Sequence, residues 1–170
     1  MKSRFYVGCS VALGVLFALV VVIDIIFPLK YYGIIKKYCN SYGVRPSVAL
    51  AVIWAESKFD ASAVSNAGAC GLMQLMPSTA EWLCSMTGQK YDYDSLFDAE
   101  YNVRLGVYYI SYLQNSFSGK YVFAAYNAGE GNVRRWLETN GEIQFAETRN
   151  YVKRVSVLTN IYALRISDTP

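Results

Sequence analysis

The chain has 170 residues, of which 54% are hydrophobic and 15% aromatic, and this is enough apolar surface for the core of one domain. A formal net charge of +3 is too small to indicate nucleic-acid binding. The sequence contains no histidine, which excludes histidine-dependent nucleophiles, acid–base pairs and metal sites. An acid–base residue must therefore be a carboxylate, a tyrosine, a lysine or a cysteine.

An uncharged apolar segment occupies residues 5–23, directly after Lys2 and Arg4. As a helix it would be about 29 Å long, which is enough to cross the hydrocarbon core of a bilayer. It is longer than a typical signal-peptide core, and no small-residue cleavage pattern closes it. We therefore predict a short cytoplasmic N-terminus and an uncleaved transmembrane signal anchor over residues 1–29, with membrane contact through residues 5–27. A separate domain is predicted over residues 30–170.

The domain after the anchor is predicted to be mainly α-helical, because apolar residues recur at helical spacing between proline, glycine and N-cap signals. Asp98 has the character of an N-cap, and Gly43, Gly88 and Gly129 are typical of helix ends. The predicted helices cover residues 31–42, 46–56, 77–86, 99–117, 121–128, 132–137 and 147–166. Residues 89–94 are predicted to form a surface loop.

Glu56 ends an apolar segment that begins at Pro46, a residue favoured in the first turn of a helix. By helical periodicity Glu56 shares a face with Ala49, Val52 and Ile53, so its carboxyl is expected beside an apolar wall. Such surroundings disfavour the charged form and raise the pKa, which a proton donor near neutral pH requires. The alternative is that Glu56 is simply the first exposed residue after a core helix.

A glycine-containing stretch with neutral polar side chains follows Glu56. Gly68 and Gly71 allow tight turns and close approach of the backbone, while Ser65 and Gln74 add hydrogen-bonding groups. An apolar cleft with a few neutral polar groups suits a sugar better than a charged ligand.

Three cysteines, Cys39, Cys70 and Cys84, lie in the predicted domain. Their spacing does not fit a zinc site, and an odd number cannot pair completely within the domain. We expect buried free thiols, with one disulfide as the alternative in an oxidising compartment. Cys70 lacks the basic partner that a nucleophilic cysteine needs.

Basic residues cluster in the C-terminal part of the chain, and they favour either solvated helix faces or a site for anionic wall polymers. They are Arg134, Arg135, Arg149, Lys153 and Arg154.

Four motifs in order carry a family resemblance: Glu56-Ser57, residues 68–77 (GACGLMQLMP), residues 125–129 (AYNAG) and residues 147–152 (ETRNYV). Together they resemble the catalytic domain of soluble lytic transglycosylases, a family with a goose-type-lysozyme-like fold, over about residues 31–165. The resemblance implies a lysozyme-like helical domain that cleaves the glycan strands of bacterial peptidoglycan without a metal or cofactor. It implies Glu56 as the catalytic residue and a set of substrate-binding positions. These positions are Ser65, Gln74, Met76, Tyr126, Asn127, Glu147 and Tyr151, with the Tyr126 hydroxyl bonded to the catalytic carboxyl or to substrate.

The resemblance also implies a mechanism with a single acid. Glu56 would protonate the glycosidic oxygen between N-acetylmuramic acid and N-acetylglucosamine, and the muramoyl 2-acetamido group would assist departure. The ionised Glu56 would then remove a proton from the C6 hydroxyl, which closes a 1,6-anhydro ring. Most glycosidases use two carboxylates, but Asp60 follows the helix end and Glu81 is expected in the first turn of the next helix, so we assign both structural roles.

Two other functions stay open from the sequence. A goose-type lysozyme-like hydrolase would use the same acid with water as the acceptor, and an inactive wall-binding or assembly protein would keep only the cleft. Lys2 and Arg4 favour a cytoplasmic N-terminus. Lys30, Lys36 and Lys37 on the other side weaken this bias, and the resemblance decides the orientation because the family's substrate lies outside the cytoplasmic membrane. We therefore expect a single-pass protein of the bacterial cytoplasmic membrane with its catalytic domain on the extracytoplasmic side. The anchored architecture also suggests an unidentified partner in an envelope-spanning, division or secretion machinery.

Overall fold

The computed structural model describes residues 14, 15 and 17–168, and the chain divides into two compact units at Lys30 and Tyr31. In the first unit, residues 14, 15 and 17–26 are helical. Within the described residues, no helix combines the length and the apolar character needed to cross a membrane. Much of the predicted anchor, residues 5–13 and residue 16, lies outside the described residues.

The second unit is mainly α-helical, as predicted. Its described residues form seven α-helices, whose bounds agree with the predicted ranges to within about two residues at each end. They are α1 (Tyr32–Tyr42), α2 (Pro46–Ser57), α3 (Pro77–Thr87), α4 (Ala99–Ser116), α5 (Lys120–Ala128), α6 (Glu130–Thr139) and α7 (Ala146–Ile166). A short 3₁₀ helix over Asp94–Phe97, which was not predicted, follows the surface loop.

Local sequence explains where most helices begin and end. Pro46 and Pro77 occupy the first turns of α2 and α3, where a missing N–H costs no hydrogen bond. The Asp98 carboxylate accepts a hydrogen bond from the Tyr101 N–H at 2.8 Å, which confirms the predicted N-cap of α4. The expectation for Glu81 is wrong, because the first turn of α3 contains no acidic residue.

Helix α2 is the central element of the second unit, since every residue from Ser47 to Ile53 is buried. It packs most extensively against α7, while α5 packs against α6 and α7, and α1 packs against α4. A helix that is apolar on all sides can be stable in water only when other elements surround it. This arrangement places the C-terminal end of α2, and therefore Glu56, at the boundary between the core and the surface.

The backbone is strained directly after Glu56. Lys58 and Phe59 are two consecutive non-glycine residues with positive φ, 52° and 67°. Phe59 is buried, and its ring makes an edge contact with Tyr162 of α7 at a centroid distance of 6.4 Å. Packing of this ring stabilises a backbone conformation that would otherwise be unfavourable.

Candidate active site

The carboxyl group of Glu56 lies in the last turn of α2, and the side chain is half-buried. Loss of hydration raises its pKa from 4.5 to about 7, which is the environment that the apolar helix predicted. Two neighbours, the Tyr151 hydroxyl and the positive charge of Arg154, act in the opposite direction and lower the pKa. No other described carboxylate contributes to the shift. Glu56 is therefore a group that can both hold and release a proton near neutral pH.

Tyr151 and Arg154 of α7 form one side of the environment of Glu56. Tyr151 is 3% exposed, and its hydroxyl is close enough to Glu56 to favour the charged carboxylate, although it meets no partner in full hydrogen-bond geometry. Arg154 lies over the Tyr151 ring, with 5.7 Å between its guanidinium carbon and the ring centroid. Arg154 is exposed, and its charge lowers the pKa of Glu56 less than the Tyr151 hydroxyl does.

A tight turn over residues 70–75 forms another side of the environment of Glu56. Cys70 and Leu75 exchange backbone hydrogen bonds of 2.9 and 3.0 Å, and Gly71 closes the turn with φ of 75°. A Cβ atom on Gly71 would lie less than 3.0 Å from the Leu96 carbonyl oxygen and from the Asn102 amide. Glycine is required here both for its φ and for the close approach of neighbouring atoms.

Asn102 of α4 holds this turn in place through hydrogen bonds to its backbone. It is fully buried, and its Oδ1 accepts from the Met73 N–H at 2.8 Å. Its Nδ2 donates to the carbonyl oxygens of Cys70 and Leu96 at 3.0 and 2.8 Å. One buried side chain thus bonds to three backbone groups, of which the Cys70 carbonyl oxygen also accepts from the Leu75 N–H.

The predicted binding residue Gln74 also stabilises the turn. It adopts a positive φ of 47°, and its Nε2 donates to the carbonyl oxygens of Ala63 and Gly71 at 3.0 and 2.9 Å. Because both contacts are to carbonyl oxygens, the amide orientation is determined, and Oε1 is the atom that can accept a bond from a ligand. Ser65 acts similarly, since its Oγ accepts from the Ala69 N–H at 3.0 Å and keeps its own proton available.

Tyr126 lies close enough to Glu56 for the two groups to interact electrostatically, and its hydroxyl bonds to the backbone of the turn. Its hydroxyl donates to the Met73 carbonyl oxygen at 2.8 Å, so no bond to the carboxyl is present. Burial and the charge of Glu56 raise the pKa of Tyr126 well above its usual value. Tyr126 therefore stays neutral and fixes the position of the turn beside Glu56.

The remaining predicted residues lie at the edges of the site. Asn127 is exposed, and its Oδ1 accepts from the Thr148 hydroxyl at 2.8 Å, which joins the end of α5 to the start of α7. Glu147 is exposed in the first turn of α7, and Met76 is 39% exposed before α3. These three side chains are accessible to a ligand.

Hydrogen bonds connect all four sequence motifs. Ser57, which follows Glu56, donates to the Leu72 carbonyl oxygen at 2.8 Å, and Tyr126 and Asn127 supply the other two links. Sequence reasoning missed the roles of Ser57, Asn102 and Arg154. Only Asn102 carried a signal, because it is a polar residue in the buried stripe formed by Leu105, Gly106 and Tyr109 at helical spacing.

The three cysteines of the second unit are free thiols. Cys39, Cys70 and Cys84 are buried and free, as expected from the sequence. The part of the chain that the structure describes contains no group of three or more cysteine, aspartate or glutamate side chains that could hold a metal.

Known lytic transglycosylases match most of this chain. The soluble lytic murein transglycosylase of Escherichia coli K12 is 36% identical over 159 residues, covering 85% of this chain and 24% of the relative. The membrane-bound lytic murein transglycosylase C of Sodalis glossinidius is 39% identical over 118 residues, covering 62% of this chain and 33% of the relative. The chain thus spans a quarter to a third of the length of these relatives.

Solved structures agree with the sequence matches. An inactive glutamate-to-glutamine mutant of the lytic transglycosylase Slt from Pseudomonas aeruginosa superposes with a TM-score of 0.82 at 33% identity, covering 87% of this chain and 26% of that one. The 70-kDa soluble lytic transglycosylase from Escherichia coli gives a TM-score of 0.79 at 34% identity, covering 84% of this chain and 25% of that one. The model of the transglycosylase SLT domain matches residues 33–148, and the chain therefore belongs to the transglycosylase SLT domain family.

Proposed function

We propose that this protein is a peptidoglycan lytic transglycosylase that cleaves the β-1,4 bond between N-acetylmuramic acid and N-acetylglucosamine, with formation of 1,6-anhydromuramic acid. The observation that carries the proposal is the pKa of about 7 at Glu56, beside the turn over residues 70–75. A carboxyl with this pKa is protonated in a large fraction of molecules near neutral pH and regains its base strength after donation.

Glu56 acts first as an acid and then as a base. Its proton goes to the glycosidic oxygen, so the bond to the muramoyl C1 breaks and N-acetylglucosamine leaves as an alcohol, while the muramoyl 2-acetamido oxygen stabilises the positive charge at C1. The Glu56 carboxylate then takes the proton of the C6 hydroxyl as its oxygen attacks C1. The acid is regenerated, no water is consumed, and no second carboxylate takes part.

An internal nucleophile suits this site. The C6 hydroxyl belongs to the same sugar as C1, so its effective concentration is high compared with that of a separate acceptor. Tyr151 and Arg154 favour the charged form of Glu56 and so stabilise the carboxylate after the proton has left. Burial favours the protonated form before transfer, and the balance between the two keeps both steps accessible.

We assign sugar recognition to side chains around this centre. Gln74 Oε1 and the Ser65 hydroxyl are placed on a stiff turn and can bond acetamido and hydroxyl groups. Met76 supplies an exposed apolar surface, while Asn127 and Glu147 lie at the junction of α5 and α7. The half-buried Tyr126 and the buried Tyr151 lie near Glu56, and we assign their rings to the same surface.

Replacing Glu56 with glutamine tests the proposal, because the amide keeps the shape of the side chain but cannot donate a proton to the leaving oxygen. We expect the Glu56→Gln variant to bind purified sacculi and to release no soluble muropeptides. Glu81→Gln, a matched change of an exposed glutamate on α3, should retain wild-type cleavage. Activity of Glu56→Gln within a few-fold of wild type would show that the acid lies elsewhere.

Mass spectrometry of the products decides between the candidate functions. Muropeptides that end in 1,6-anhydromuramic acid support the transglycosylase, whereas products with reducing ends would identify a lysozyme-like hydrolase. Binding of sacculi by the wild type without any product would identify a wall-binding protein.

We further propose that residues 5–27 anchor the protein in the bacterial cytoplasmic membrane, with the catalytic domain on the extracytoplasmic side. The support is the uncharged segment over residues 5–23 and the exposure of large apolar side chains in it and directly after it, such as Phe17 at 71% and Ile25 at 73%. Some relatives carry the name membrane-bound. An anchor of this kind would restrict cleavage to wall near the membrane, as a division, secretion or envelope-spanning machinery requires.

A further inference from the structure

A second concave surface lies against α7, on a different side of the helix from Glu56. This groove has a volume of about 640 Å³ and is lined by Lys120, Glu142, Ile143, Arg149, Val152 and Lys153. Arg149 and Lys153 are four residues apart and share a helix face, and each lies about 160° around the helix from Tyr151, which lies beside Glu56. The groove is therefore separate from the proton-transfer site.

The loop that forms one wall of the groove is held at three points. The Tyr121 hydroxyl donates to the Gly141 carbonyl oxygen at 2.7 Å, and the Glu142 N–H donates to Asn140 Oδ1 at 3.0 Å. Arg149 Nη1 donates to the carbonyl oxygens of Ile143 and Gln144, both at 2.7 Å. These bonds fix the wall of the groove and the guanidinium plane together, which reduces the entropy cost of binding a ligand.

The charges around the groove are not neutralised within the described residues. Lys120, Arg149 and Lys153 form no ion pair there, and neither does Glu142. Arg149 uses only Nη1 in its two backbone bonds, so Nε and Nη2 keep donors for a ligand. Three cations around one concavity attract carboxylates, and a single carboxylate at its edge attracts an ammonium group.

The floor of the groove is apolar. Ile143 and Val152 are 8% and 7% exposed, and they lie between the charged side chains. The surface thus combines sites for anions, a site for a cation and a small alkyl-binding floor. A uniform polyanion would satisfy the cations but would be repelled by Glu142, whereas a short peptide with carboxylates, methyl groups and an ammonium matches every part.

We propose that this groove binds the stem peptides of the cell wall. Peptide carboxylates contact Lys120, Arg149 and Lys153, alanine methyl groups pack on Ile143 and Val152, and the ammonium of a diamino acid contacts Glu142. The proposal rests on the proposed function for the source of the peptide. It adds a second point of attachment to the wall, through which the enzyme binds a peptide while the Glu56 site binds glycan.

Peptide binding tests this proposal without any turnover. The full-length Glu56→Gln protein is titrated calorimetrically with the N-acetylated pentapeptide L-Ala-γ-D-Glu-L-Lys-D-Ala-D-Ala. The double change Lys120→Gln and Lys153→Gln is expected to weaken binding at least about tenfold, because two charge contacts are lost. Lys36→Gln, at an exposed lysine of α1, is the matched control and should leave the affinity unchanged. Equal affinities of the double variant and the control would overturn the proposal.

A change of ligand identifies the role of Glu142. Acetylation of the lysine amine of the pentapeptide should weaken binding to the protein with Glu142 and should have no effect on the Glu142→Gln variant. A stronger response to inorganic polyphosphate or to vesicles of anionic phospholipid than to the pentapeptide would identify a polyanion site instead and would overturn the assignment. Thermal unfolding of each variant confirms that a loss of affinity is not a loss of folding.

The two proposals fail in different experiments. Wild-type cleavage of sacculi with no affinity for the pentapeptide would reject only the peptide groove. Affinity for the pentapeptide that depends on Lys120 and Lys153, without cleavage of any glycan by the wild type, would reject only the transglycosylase function.

Discussion

Glu56 keeps its proton because its surroundings solvate a carboxylate poorly. Burial at the end of an apolar helix removes much of the water from the carboxyl, and the opposing contributions of the Tyr151 hydroxyl and Arg154 are smaller. The result is a carboxyl that ionises with a pKa of about 7 in the folded protein and with its usual pKa of 4.5 in the unfolded chain. Folding stability must therefore depend on pH over this interval, and so must the proposed proton transfer.

Folding stability should fall as the pH rises through this interval. Below pH 4.5 the carboxyl is protonated in both the folded and the unfolded chain; between 4.5 and 7 only the unfolded chain loses its proton, so the free energy of unfolding decreases. Above pH 7 both states are ionised and the decrease is complete. The full shift corresponds to about 3 kcal/mol, which partial exposure of the carboxyl reduces to about 2 kcal/mol.

Urea unfolding of wild type and Glu56→Gln at several pH values measures this effect. The stability difference should change by about 2 kcal/mol in favour of the variant between pH 4.5 and pH 7.5, and then level off. Glu81→Gln should follow the wild type throughout. A constant difference for Glu56→Gln over this range would mean that the carboxyl titrates normally.

Gly71 shows how one residue determines the shape of the turn. A methyl group at this position would overlap the Leu96 carbonyl oxygen and Asn102, in addition to the cost of a φ of 75°. We expect Gly71→Ala to lower the free energy of unfolding by about 3 kcal/mol or more and to reduce cleavage strongly. Gly88→Ala is the matched control, because Gly88 has a φ of 66° but no atom within 4 Å of the added group.

Urea unfolding of the two alanine variants separates the steric overlap from backbone strain. Gly88→Ala should cost only about 1 kcal/mol, which is the cost of strain alone. Equal losses for both variants would show that the turn can move away from Leu96 and Asn102.

At the level of secondary structure, α4 supports the site from a distance. It contributes no side chain that contacts Glu56 electrostatically, but Asn102 bonds to Met73, Cys70 and Leu96, and Gly106 leaves room for the Met73 side chain. The turn beside Glu56 is thus built on the surface of α4.

Removal of the Asn102 side chain should loosen this contact. Asn102→Ala removes the bonds to the Met73 N–H and the Leu96 carbonyl oxygen and one of the two bonds to the Cys70 carbonyl oxygen, so we expect a loss of stability of about 2–4 kcal/mol and weaker binding of glycan. Asn115→Ala, at an exposed position of the same helix, should change stability by less than about 0.5 kcal/mol. Thermal unfolding and a sacculus-binding assay measure both; wild-type binding by Asn102→Ala would show that the turn is stable without α4.

At the scale of the whole molecule, the site depends on elements that are distant in the chain. The bond from Tyr126 to Met73 joins residues 53 positions apart, and the bond from Thr148 to Asn127 joins residues 21 positions apart. Glu56 is therefore functional only when α2, α5 and α7 have assembled around the turn.

The division of the chain at Lys30 leads to a prediction about location. Full-length protein should remain with membranes after washing with high salt and carbonate, because an apolar span is not released by screening or by high pH. A chain that begins at Lys30 should appear in the soluble fraction and should cleave glycan in solution. Release of the full-length protein by carbonate would exclude an anchor over residues 5–27.

The sequence by itself determined the helical fold, the bounds of most helices and the position of Glu56 at the end of an apolar helix, because periodicity, prolines and caps act within a few residues. It also placed Ser65, Gln74 and Tyr126 in one region through their motifs. The tertiary structure alone decided that Tyr126 bonds to Met73, that Asn102 bonds to the turn, and that Arg154 acts on Glu56. These relations depend on which distant surfaces meet, and local patterns contain no information about the atoms that an opposing helix will present.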